Sequence, residues 1–106
     1  NSKKYIIIKL TSDKKRILSK IADNLIRNKL VACANILNNI DSIYLWKKKI
    51  VRNKEFMMIL KTMSDKEKNI YTIIKDLHNY QVPEIITLEI NNIDENYAKW
   101  IDESLQ

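Results

Sequence analysis

The stretch ACANILNNIDSIYLWKKKIVRNKEFMMILKT, residues 32–62, decides the architecture of this chain. Two extended runs meet in it around the polar turn Lys47-Lys48-Lys49. On the outbound arm Ile43 and Leu45 face one way while Tyr44 and Trp46 face the other, and on the return arm Phe56, Met58 and Leu60 alternate with Met57 and Ile59. That period of two is the mark of strands. Each arm reaches about 12 residues, against a usual strand of roughly 5 to 6. Both faces of the ribbon carry large apolar groups, more than so short a chain can cover alone, so a subunit partner is expected.

The 106 residues suit one domain spanning 1–106, with a real core. No apolar run approaches the roughly 18 to 20 residues of a membrane span, so no membrane partner is expected. Glycine is absent and proline occurs once, which leaves turns to Asn and Asp, the residues that next best tolerate a left-handed backbone. Asn38-Asn39 and Asn91-Asn92 fit that role. The net charge of +6 raises nucleic acid as a partner. The basic residues are nevertheless spread among 13 acids, and the one block, Lys47 to Lys49, reads as a solvated turn. The single cysteine, Cys33, excludes an intramolecular disulfide and points to a reducing compartment. A chain that opens at Asn1 is expected to be trimmed or processed; the cytoplasm is the expected location, or an organelle after removal of a targeting segment.

Outward from the hairpin, Tyr5 to Leu10 reads as an interior strand, apolar on both faces. Thr11, Ser12 and Asp13 offer N-cap side chains to an amphipathic helix bearing Ile17, Leu18, Ile21, Ala22, Leu25 and Ile26. Ser64 to Glu67 reads as a capping box for a second helix with Ile70, Ile73, Ile74 and Leu77, closed by Asn79 in a left-handed conformation. Glu84 to Ile90 is a fourth strand, and Asp94 caps a short last helix with Tyr97, Trp100 and Ile101. The order β-α-β-β-α-β plus a helix predicts an α+β, ferredoxin-like fold with both main helices on one sheet face and the other face bare. A bare apolar face needs a partner, in agreement with the long hairpin.

Five blocks, Leu30-Val31-Ala32-Cys33-Ala34-Asn35-Ile36, Ser42-Ile43-Tyr44-Leu45-Trp46, Leu60-Lys61-Thr62, His78-Asn79-Tyr80-Gln81-Val82-Pro83-Glu84-Ile85-Ile86 and Tyr97 to Trp100, resemble the CutA divalent-cation-tolerance family in order and spacing. The resemblance implies a homotrimer with long hairpins crossing between subunits, in which Tyr44, Trp46 and Trp100 serve as trimer packing residues. It also implies a role in the response to metal ions, with copper or another divalent metal bound weakly and none required for folding. By fold analogy it extends to the PII-type signalling proteins, which bind effectors between subunits. Two departures weigh against copper. Leu10 stands where bacterial members have a Cys, and Leu77-His78 where they have adjacent His residues. The family's Pro-Gly turn in the second strand is replaced by Asn38-Asn39.

His78, the one histidine, is the first choice of metal ligand, with Cys33 and Glu84 as helpers. The plainer alternative has His78 at a helix C-terminus, favoured by the dipole, and Cys33 as a small core hydrophobe. Glu84 is expected to pair with Lys61, and Lys61, Tyr80 and Glu84 to line an intersubunit cleft. Tyr44, Trp46 and Trp100 suit packing better than ligand stacking. No phosphate loop, catalytic triad or H-E-x-x-H spacing is present, so no enzyme and no catalytic residue is expected. The other functional classes in view are a trimeric PII-like small-molecule sensor and a monomeric RNA-binding ferredoxin-like domain reading RNA through sheet aromatics.

Overall fold

The computed structural model describes residues 4–106. Its elements run β1 (Tyr5–Ser12), α1 (Lys15–Arg27), β2 (Cys33–Trp46), β3 (Lys49–Met63), a 3-10 turn (Ser64–Lys66), α2 (Glu67–Leu77), β4 (Ile85–Glu89) and α3 (Glu95–Ser104). The strands form one antiparallel sheet in the order β2-β3-β1-β4. That is the expected ferredoxin-like α+β arrangement, with β1 in the interior.

Alternation along each strand sorts the side chains between the two sheet faces. Ile6, Ile8 and Leu10 lie opposite Thr62, Leu60 and Met58, and this face buries against Leu18, Ile21, Leu25, Ile70 and Ile74 of α1 and α2. The opposite face carries Tyr5, Ile7, Met57, Ile59, Lys61, Ile86 and Leu88. It is not wholly bare. The phenol of Tyr5 donates to Asp102 of α3 at 2.8 Å, and Ile101 is fully buried outside the main cluster, so α3 covers one end of this face.

The hairpin is longer than its sequence pattern implied, because β3 pairs with β2 along nearly its whole length but with β1 only from Phe56 to Met63. The arm formed by residues 40–46 and 49–55 therefore projects beyond the core by about 20 Å, and the molecule measures 45 × 26 × 25 Å. Its turn has two residues rather than three: Trp46 pairs with Lys49, and Lys47 and Lys48 both take positive φ, 50° and 67°. Two successive left-handed residues are the mark of a type I′ turn, whose twist suits a hairpin. Asn39, at φ 59°, sits in a bulge where β2 skips register between Leu37 and Ile40. The bulge moves Ile40 to the side of Glu55, whereas Ile36 faces α1 and α2 with Met58.

Local capping departs from expectation at four places. The α1 N-cap residue is Lys14; the Ser12 hydroxyl accepts the Lys14 N–H at 3.1 Å, one step before the helix. The Ser64 hydroxyl does not cap α2. It accepts the Lys4 N–H at 2.9 Å while the Ser64 N–H donates to the Lys4 carbonyl. The strand end outcompetes the helix because β1 and β3 bring Lys4 and Ser64 side by side. Asn79 does not turn left-handed, since His78 leaves α2 in an extended conformation at φ −70° and ψ 148°. Asn91 and Asn92 also stay out of the left-handed region. By contrast Asp94 caps α3 as expected, accepting the Tyr97 N–H at 3.0 Å.

Candidate functional site

Two clusters gather the polar residues singled out in the sequence. The first lies where β1 ends. His78 directs its Nε2 at the Thr11 carbonyl at 2.7 Å, and its Nδ1 accepts the Tyr80 N–H at 3.0 Å. A carbonyl only accepts, so Nε2 carries the proton and the ring is a neutral imidazole with both nitrogens engaged by backbone. The extended exit from α2 places the ring there, 4.9 Å from that of Tyr80. The Tyr80 hydroxyl donates to Glu55 Oε2 at 2.6 Å, and Glu55 is only 7% exposed. Burial, and then the Glu55 carboxylate, push the Tyr80 phenol well above its ordinary value. Around this core Ser12 donates to Asn79 Oδ1 at 2.7 Å, and Asn79 donates to Asp13 at 2.8 Å. The network clamps the segment after α2 onto the end of β1.

The second cluster lies on the sheet face opposite α1 and α2. Lys61 of β3 stands between Cys33 of β2 and Ile7 of β1. Its ammonium donates to the Asn35 carboxamide oxygen, which the half-buried Cys33 thiol also approaches at 3.8 Å. Burial and the neighbouring Cys33 raise the Tyr97 phenol above its ordinary value. Tyr97 stacks on Trp100 with ring centres 5.5 Å apart.

Within the chain Glu84 does not pair with Lys61. It reaches Lys9 at 3.5 Å. The reason is register: β1 separates β4 from β3, and Leu10 pairs with Ile85, which sets Glu84 near Lys9, whereas Lys61 lies further along at Ile7. Cys33 and His78 are likewise held apart, since Cys33 on β2 pairs with Lys61 at the level of Ile7, two strands from β1, while His78 sits against Thr11. Among the described residues no three His, Cys, Asp or Glu side chains gather as a metal-binding group. With the lone pair of Nδ1 taken, the donors of one chain do not fit a preformed copper centre. Tyr44, Trp46 and Trp100 stay out of the core of their own chain, Trp46 at 56% and Trp100 at 44% exposure.

Glu55 acquires a role that its sequence position did not announce, whereas Asn35 and Tyr97 stand within the sequence blocks quoted above without an assigned role. The one signal was Glu55 itself, an acid directly before the apolar run Phe56 to Leu60.

The CutA1 family profile, "CutA1 divalent ion tolerance protein", matches residues 6–104. The Divalent-cation tolerance protein CutA of Thermotoga maritima is 40% identical over 86 residues, 81% of this chain and 84% of that protein. The protein of the same name from Pyrococcus horikoshii is 38% identical, over 79% of this chain and 81% of the relative. Among solved structures, the divalent ion tolerance protein CutA1 of Ehrlichia chaffeensis superposes with a TM-score of 0.93 at 32% identity, covering 100% of this chain and 99% of that one. The periplasmic divalent cation tolerance protein CutA of Archaeoglobus fulgidus gives 0.92 at 33% identity, covering 96% and 99%. Profile, sequence and fold agree over most of the chain, and the chain belongs to the CutA1 divalent ion tolerance family.

Proposed function

We propose that this chain is a homotrimeric, non-enzymatic module of divalent-cation tolerance, assembled through its long hairpin. The observation that carries the reading is the projecting arm, on which Leu45 and Ile50 are 69% and 72% exposed although they pair across the strands. Hiding side chains of this size contributes roughly 1.5–3 kcal/mol each, and the chain's own core lies too far away to cover them. Tyr44 and Trp46 fill the other side of the arm. Native mass spectrometry tests the assembly: the wild type is expected at three times the chain mass, and Leu45→Asp with Ile50→Asp at one. A folded wild-type monomer at micromolar concentration refutes it.

Metal contact in this reading is weak and depends on His78, one copy per subunit. Copper gains the Nδ1 lone pair by displacing the Tyr80 N–H, a hydrogen bond contributing about 1 kcal/mol, while Nε2–H keeps the Thr11 carbonyl, so affinity falls roughly fivefold below that of an unhindered histidine. Calorimetry of Cu(II) into wild type and His78→Ala checks this; submicromolar binding that survives the substitution refutes it. The cytoplasm is the location we favour, from the free Cys33. Among relatives, that of Arabidopsis thaliana is named chloroplastic and that of Archaeoglobus fulgidus periplasmic.

A further inference from the structure

The excess positive charge of this chain is gathered on one helix. Residues 13–29, which hold α1 and its flanks, carry the six cations Lys14, Lys15, Arg16, Lys20, Arg27 and Lys29 against the two acids Asp13 and Asp23, a net of +4 out of the chain's +6. All six cations are exposed, and among the described residues none meets a carboxylate, whereas Lys4, Lys9 and Lys54 each do. Asp13 is itself engaged by the Asn79 amide at 2.8 Å. A helix favours cations in its last turn, which accounts for Arg27 and Lys29. The same dipole disfavours them at the start, yet Lys14, Lys15 and Arg16 crowd the first turn, which holds no acid. Helix stability therefore does not explain them.

Position points the same way. Leu18, Ile21 and Leu25 bury one side of α1 in the core, so Arg16, Lys20 and Arg27, four and seven residues apart, share the outer side. They run for about 16 Å along the helix. That side looks away from the sheet face and the projecting arm that the proposed trimer covers, and it stays open in that assembly. Ile26 is the one exposed large apolar side chain of α1, and the helix has no aromatic residue.

We propose that the outer face of α1 is a docking surface for duplex nucleic acid, holding the phosphate backbone through Lys14, Lys15, Arg16, Lys20 and Arg27 without reading the bases. A row of cations matches the line of phosphates along a duplex, which carries one charge per about 1.7 Å of axis. With no aromatic ring on the helix there is no stacking platform for a single strand, and one apolar side chain gives no wedge for a bilayer. Backbone contacts carry no sequence information, so the binding is electrostatic and sequence-independent. It goes beyond cation tolerance and uses none of the residues assigned to metal or to assembly.

The test is fluorescence anisotropy of a labelled random-sequence DNA duplex titrated with the full wild-type chain over a salt series, with native mass recorded alongside. The expected result is micromolar binding at about 50 mM salt, with log K falling against log salt at a slope of about −4.5, hence roughly 500-fold weaker at about 200 mM. Arg16→Glu with Lys20→Glu is expected to weaken binding about 10-fold or more at the lower salt and to make the slope shallower by about 2. Lys68→Glu with Lys75→Glu, on the exposed side of α2, changes the net charge equally. It is expected to lose far less, since screening confines the effect to charges near the duplex. Should the first pair fail to fold, Arg16→Gln with Lys20→Gln takes its place. Equal losses in the two pairs assign the binding to net charge and overturn the proposal, as do binding that ignores salt and no binding at the lower salt. Vesicles containing phosphatidylserine are titrated under the same conditions. Tighter binding to them than to the duplex reassigns the surface to a membrane and also overturns it.

Discussion

Tyr80→Phe deletes one oxygen and should cost more than its position near the surface suggests. The hydroxyl it removes donates to Glu55 at 2.6 Å, and that carboxylate is 7% exposed. A hydrogen bond to a charged group contributes about 1.5–3 kcal/mol, and leaving a buried acceptor short of a partner adds desolvation cost. Tyr80 is itself partly open to solvent, so water replaces part of the bond and the expected loss is near the lower end, about 1.5 kcal/mol. Urea denaturation of wild type and variant, at equal protein concentration and pH 7, measures it. Glu55→Gln keeps a carbonyl acceptor and should lose less than Glu55→Ala. In a double-mutant cycle Tyr80→Phe and Glu55→Ala should couple by about 1 kcal/mol or more. The pH dependence supplies a second readout. The folded chain holds the Tyr80 proton above the ordinary value because burial and the Glu55 carboxylate both disfavour the phenolate. Below pH about 10 folded and unfolded chains are both protonated and the stabilisation is whole; above it the unfolded chain releases its proton first, so stability falls as pH rises. Tyr5 and Tyr97 are raised too and contribute to the same fall, so the diagnostic quantity is the shallower slope of Tyr80→Phe. A loss under about 0.5 kcal/mol at pH 7, with an unchanged alkaline slope, would refute the reasoning.

The turn residues Lys47 and Lys48 hold left-handed backbone that costs a residue with a Cβ roughly 1–2 kcal/mol, partly offset by the extra unfolded-state freedom of glycine. Lys47→Asn with Lys48→Gly is expected to stabilise the chain by about 1 kcal/mol in the same urea assay. Ile74→Ala, at a fully buried site between α2 and the sheet, should cost about 2–5 kcal/mol. Trp46→Ala should lower stability in a concentration-dependent way, through assembly; a loss independent of concentration would place Trp46 in the packing of its own chain.

The sequence by itself determined the order of elements, the ferredoxin-like topology, the long hairpin and the family. These follow from period-two and helical patterning and from motifs contiguous along the chain, and local chemistry suffices to read them. The cap of α3 was legible for the same reason, since Asp94 and the Tyr97 N–H are three residues apart. Tertiary structure alone decided the partners of the polar groups. Ser64 is a good cap by sequence, yet Lys4, remote along the chain, takes its hydroxyl. Glu84 and Lys61 look like a pair until the strand order puts β1 between them and Lys9 within reach. His78 reads as a ligand because imidazole is rare and adaptable, but only the packing of the α2 exit against β1 shows that Thr11 and Tyr80 occupy both its nitrogens. A hydrogen bond needs its two atoms within about 3 Å, and for residues far apart in sequence that proximity is a property of strand order and register, which no local pattern encodes.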